Sequence, residues 1–120
     1  MKLADVNLLV AIAHTIHPHH AAALAWQKQH RITTCPITEL GLVRVLMQLG
    51  LPADDAMTQL ETVKKHADFV SCDVPGSAIA GKVTGHKQTT DAYLLELARK
   101  HKGTLCTFDT GIKGAETVKV

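Results

Sequence analysis

Thr89-Thr90-Asp91-Ala92-Tyr93-Leu94-Leu95-Glu96-Leu97-Ala98-Arg99-Lys100-His101-Lys102-Gly103-Thr104-Leu105-Cys106-Thr107-Phe108-Asp109-Thr110-Gly111 reads as one helix followed by one strand. Thr89 or Thr90 offers a cap for the first turn, and Asp91 puts a negative charge where the helix dipole favours it. Ala92, Leu95 and Ala98 recur at helical spacing, with Leu94 widening the stripe. Arg99 to Lys102 load the last turn with cations and Gly103 stops the helix. Thr104 to Phe108 is a short apolar run, the pattern of a buried strand, and it ends at Asp109 before the turn residues Thr110 and Gly111. In a parallel sheet, strand C-termini and helix N-termini share one edge, and sites form along it. Asp91 and Asp109 are thus placed as neighbours in space.

Working back toward the N-terminus, Val74 to Lys87 is a glycine-rich turn and loop carrying His86 and Lys87. Asp68 to Cys72 is a strand candidate, and Asp73 behind it is the chief rival acid. Ala53 to His66 is an amphipathic helix with Asp54 and Asp55 capping its first turn, set off by the break Gly50-Leu51-Pro52. The helix before that break opens at Pro36 or Thr38 and holds Glu39 in its first turn. Leu40, Val43 and Met47 form one apolar stripe on it, and Leu42, Leu46 and Leu49 a second. Such a helix packs on the sheet and also against a partner; Arg44 interrupts it. Arg31 to Thr34 is the next strand. Ala21 to Gln29 is a helix with Trp26 as an anchor. His14, His17, His19 and His20 crowd one loop, but no compact His or Cys set elsewhere completes a transition-metal site, so they read as an exposed turn. Val6 to Ala13 is an apolar helix, preceded by the strand Lys2 to Ala4 and by Asp5, which also suits a helix cap. Downstream of Gly111, Glu116 to Val120 is an edge strand.

The alternation of strands and helices implies a three-layer α/β/α sandwich around a mainly parallel sheet of four or five strands, with residues 1–120 as one domain. At 46% hydrophobic and 3% aromatic, the core is built from aliphatic residues, and stacking platforms for single-stranded nucleic acid are absent. A formal charge of +2 defines no basic stripe. Cys35, Cys72 and Cys106 are odd in number and lack CxxC spacing, which reads as buried, reduced thiols. With no signal peptide and no membrane span, the expected location is the cytoplasm.

The edge at the strand C-termini collects Asp5, Glu39, Asp91 and Asp109. Two carboxylates about 4 Å apart repel by roughly 4 kcal/mol at an effective dielectric of 20, so protons or cations must compensate. Oxygen-only donors select a hard ion, Mg²⁺ or else Mn²⁺. Such an ion suits phosphoryl chemistry. No nucleophile elbow, P-loop or GxGxxG competes. Asp5-Val6-Asn7 also lacks the second acid that an aspartyl-phosphate phosphatase uses.

Leu3-Ala4-Asp5-Val6-Asn7-Leu8-Leu9, Thr38-Glu39-Leu40-Gly41-Leu42-Val43-Arg44-Val45-Leu46, Gly85-His86-Lys87-Gln88-Thr89-Thr90-Asp91-Ala92-Tyr93-Leu94-Leu95 and Thr107-Phe108-Asp109-Thr110-Gly111 occur in that order. Together they resemble the PIN-domain ribonucleases, and within them the VapC-type toxins of toxin–antitoxin pairs, over nearly the whole chain. The resemblance implies metal-binding acids at Asp5, Glu39, Asp91 and Asp109, with Asn7 and Thr107 supporting them. It also implies Mg²⁺-dependent endonucleolytic cleavage of RNA, a homodimer, and a small VapB-type antitoxin that blocks the site in a heterotetramer or larger assembly. Val6 departs from the pattern, since many relatives carry Ser or Thr there. Arg44, His86 and Lys87 are candidates for RNA contact. The contrasting reading is a catalytically silent domain that binds RNA or a partner.

Overall fold

In the computed structural model, which describes residues 1–120, side-chain alternation along short strands sets up the layers. Strand β1 is Lys2–Ala4 and strand β4 is Thr104–Thr107, paired in parallel so that Leu3 lies opposite Leu105 and Ala4 opposite Cys106. Leu3 and Leu105 join the core under helix α5, Thr89–Lys100; Ala4 and Cys106 join the core on the other face. That second core is covered by α1 (Val6–Ala13), α2 (His20–Gln29), α3 (Pro36–Gln48) and α4 (Ala53–Lys64). Strands β2 (Ile32–Thr34), β3 (Ala67–Phe69) and β5 (Glu116–Thr117) complete a five-stranded sheet in the order β3-β2-β1-β4-β5, with every pairing parallel. The three-layer sandwich is the one expected. Leu8, Leu9, Leu42, Leu46, Leu94 and Leu97 are fully buried, each stabilising the fold by about 1.5–3 kcal/mol. No helix is long and apolar enough to cross a membrane.

Several local expectations shift. Strand β3 is Ala67–Phe69 rather than Asp68 to Cys72, so Asp73 does not end a strand. Instead Asp73 ties the loop to the end of α5: its carboxylate meets His101 Nε2 at 2.9 Å and Lys100 Nζ at 3.4 Å. Its pKa is lowered chiefly by the His101 hydrogen bond. The strand expected at Glu116 to Val120 shortens to its first two residues. In α5 the buried face is Ala92, Leu94, Leu97 and Ala98, so Leu97 takes the place expected for Leu95. Thr89 does not cap the helix; its hydroxyl donates back to the His86 carbonyl at 3.0 Å. Gly103 stops α5 for a reason other than backbone freedom. Lys102 adopts the left-handed conformation (φ 56°), while a Cβ on Gly103 would collide with the Met1 carbonyl where β4 begins beside β1.

The double stripe on α3 divides as expected on one side only. Leu42 and Leu46 are buried, while Leu40, Met47 and Leu49 are exposed. Gly41 faces α1, where a Cβ would strike the Val6 side chain, so the small residue lets α3 pass close behind Asp5. Trp26 is half-buried, its Nε1–H donating to Glu116 Oε2 at 3.3 Å. Cys35 and Cys106 are buried thiols, but Cys72 is exposed.

Candidate active site

The parallel register brings the end of β1 beside the end of β4. Asp5 follows β1 directly, and its N–H continues the ladder by donating to the Cys106 carbonyl at 2.9 Å. Its backbone is extended (φ −67°, ψ 160°), so the chain turns at this residue into α1. Oδ1 accepts the Val6 N–H at 2.8 Å and Oδ2 accepts the Thr107 hydroxyl at 2.9 Å. The capping reading of Asp5 therefore holds, and the same carboxylate lies at the sheet edge where a site was expected. Capping uses one oxygen and aims the group along the sheet edge.

Thr107, the last residue of β4, is fully buried. Besides donating to Asp5, its Oγ1 accepts from Asn7 Nδ2 at 2.9 Å and from the Asp109 N–H at 3.1 Å. Asn7 Oδ1 in turn accepts the Phe108 N–H at 3.1 Å. One hydroxyl thus sets the relative position of two acids from opposite ends of the chain. Asp109 is exposed and folds its Oδ1 onto the Gly111 N–H at 2.8 Å, an Asx turn that fixes the loop after β4. Thr107→Val would leave the Asp5 oxygen, the Asn7 amide and the Asp109 N–H without this partner. It is expected to lower stability by about 2–3 kcal/mol in urea unfolding, with Thr107→Ser retaining most of it.

Asp91 enters from the first turn of α5. Its pKa is raised above the usual carboxylate range, first by burial and then by the charges of Asp5 and Asp109. Asp5, Asp91 and Asp109 therefore feel one another, and none of the seven ion pairs in the chain involves any of them. They line one cleft of about 410 Å³ with Val6, Asn7, Val10, His17 and Val45. No three acidic, histidine or cysteine side chains close around a single point as a finished coordination shell. In chemical kind the residues still fit a hard divalent ion. They are oxygen donors, mutually repelling, and without a protein cation to balance them.

Glu39 is placed differently. It sits on the same sheet edge one strand over, where its Oε2 accepts the Thr34 hydroxyl at 2.7 Å and its Oε1 lies 3.9 Å from Lys64 Nζ. It does not line the cleft of the three aspartates. Arg44, beside Val45 on α3, is exposed, as are His86 and Lys87 in the 3-10 turn just before α5; none is held in an ion pair. His17, read from the sequence as part of an exposed turn, is half-buried in the cleft wall. Its pKa is lowered by burial first and then by His19, His14 and His20. No periodicity marks it in the sequence, because the loop that folds it back is held by backbone hydrogen bonds from His17 to His14 and from His20 to His17.

A parallel sheet in this order, with acids gathered on one edge, defines a class. The PIN domain family profile matches residues 2–117, and the chain belongs to the PIN-domain family. Within it the chain is a member of the VapC ribonuclease group. It is 38% identical to ribonuclease VapC29 of Mycobacterium tuberculosis, over 92% of this chain and 86% of that one. It is 39% identical to ribonuclease VapC38 of the same organism, over 93% and 87%. Among solved structures, M. tuberculosis VapC20, described as a toxin cleaving the sarcin–ricin loop, superposes with a TM-score of 0.75 at 13% identity, covering 100% of this chain and 98% of that one. FitAcB from Neisseria gonorrhoeae gives 0.70 at 21%, covering 98% and 96%. At these identities the structures speak for the fold.

Proposed function

We propose that the chain is an endoribonuclease, the toxin of a toxin–antitoxin pair, and that it hydrolyses RNA phosphodiester bonds with Mg²⁺ or Mn²⁺ held by Asp5, Asp91 and Asp109. The observation that carries this reading is that Asp5, Asp91 and Asp109 line one cleft with no protein cation paired to any of them; burial first, and then the charges of Asp5 and Asp109, holds the Asp91 carboxyl above its usual range. Strained acids of this kind are a signature of functional sites rather than of stability. The names of the VapC relatives support the ribonuclease assignment.

A divalent ion bound there supplies stabilisation of charge on the phosphate and activation of the attacking water. The protein's own part is to place and orient. Thr107 and Asn7 fix Asp5 against the start of the Asp109 loop, and α5 delivers Asp91 from the opposite layer. Glu39 contributes through water from the neighbouring strand end. Arg44, next in the chain to the cleft residue Val45, and His86 and Lys87, in the turn before α5, are the exposed groups that meet the RNA backbone, positioning the strand without reading its bases. Leu40 and Met47 on α3 and Met57 on α4 remain exposed, an apolar surface that suits a second copy of the chain and the antitoxin.

The test is cleavage of bacterial RNA by the purified chain. Cutting is expected in Mg²⁺ or Mn²⁺ and is expected to stop on addition of excess EDTA. Full activity in the chelator would reject the metal-dependent mechanism.

A further inference from the structure

His17 stands outside the acidic set yet lines the same cleft. Its Nδ1 accepts the backbone N–H of His19 at 3.0 Å. That bond uses the Nδ1 lone pair, so the ring proton is carried by Nε2. The His17 ring lies 5.6 Å from the His19 ring, which lies 5.2 Å from Phe108. Phe108 is itself pinned through its N–H to Asn7 and immediately precedes Asp109. The imidazole is thus held at Nδ1 and by its neighbours, and its orientation is coupled to the strand end that carries the acids. Nε2 has no hydrogen-bond partner within the chain.

A neutral donor suits this position. RNA must bring an anionic phosphate into a cleft walled by carboxylates. An Arg or Lys there would pair with Asp5 or Asp91 and compete with the cation those acids are to hold. A neutral N–H can bond a phosphate oxygen and leave the carboxylates free.

We propose that His17 is a substrate-binding residue of the nuclease site, its Nε2–H donating to a phosphate oxygen of the RNA strand that lies across Asp5, Asp91 and Asp109. The proposal rests on the ribonuclease reading above. Binding is measured apart from catalysis, by fluorescence anisotropy of a fluorescein-labelled RNA of mixed sequence, with Ca²⁺ in place of Mg²⁺ to suppress cutting. His17→Ala is expected to weaken binding about tenfold. His17→Gln keeps an N–H donor at the same reach and is expected to stay within about threefold of the parent chain. Mn²⁺ affinity by calorimetry is expected to be unchanged in both variants. Unaltered RNA binding by His17→Ala overturns the proposal, as does His17→Gln binding as weakly as His17→Ala. Loss of Mn²⁺ affinity on His17→Ala overturns it as well, by making His17 a metal ligand. A parent chain that binds RNA but never cuts it in Mg²⁺ rejects the ribonuclease reading and leaves the His17 contact standing; one that binds no RNA rejects both.

Discussion

Asp5→Asn is expected to lower RNA cleavage by about 100- to 1000-fold with the fold retained. The substitution is close to isosteric. The amide oxygen can still accept the Val6 N–H that starts α1, so the cap survives. What is lost is the charge. An amide brings an NH₂ where the Thr107 hydroxyl now donates, and it offers one weak oxygen to a cation where the carboxylate offered a full negative charge. The loss should fall on the chemical step, while RNA binding through exposed groups away from the acids is largely kept. Matching circular dichroism spectra would show that the variant folds. Parent-like activity in a folded variant would remove Asp5 from the mechanism.

The second large effect concerns Asp91 and has the opposite sign for stability. Its folded-state pKa is raised above the ordinary value of 3.8 by burial and by Asp5 and Asp109. A raised carboxyl pKa means that the folded state holds the proton more tightly than the unfolded state. Its favourable contribution is complete below the unfolded pKa and is lost as pH rises through the folded one. At neutral pH without divalent ions, Asp91→Asn should therefore melt about 3–5 °C above the parent, and the gain should vanish in acid. Mn²⁺ should reverse the order. An ion present at a hundredfold excess over its dissociation constant stabilises the parent by about 2.7 kcal/mol, and the variant should gain far less. Thermal melts at two pH values, with and without Mn²⁺, check all four points. A variant less stable than the parent in the metal-free state at neutral pH would show that Asp91 is a structural acid.

The same residues show what could be read from the chain alone. Asp5, Asp91 and Asp109 were legible because each stands at a strand end or helix start, and a parallel sheet puts those points on one edge. Glu39 obeyed the same rule but has other partners. Thr34 sits directly beneath it and Lys64 reaches it from α4, contacts that no local pattern encodes. Strand β3 is Ala67–Phe69 and not the expected Asp68 to Cys72, because it is an edge strand with Asp68 and Phe69 exposed, so no buried alternation marks its ends. His17 was hidden for a related reason. A histidine in a polar loop looks alike whether it faces solvent or a cleft, and only the tertiary fold decides between them.

The central claim, that Asp5, Asp91 and Asp109 together hold a hard divalent ion, is tested most directly by anomalous diffraction from crystals soaked in Mn²⁺. The account predicts a manganese peak among these three carboxylates, lost in Asp91→Asn. Manganese bound only at the histidine loop or at Glu39, with the three aspartates unoccupied, would contradict it.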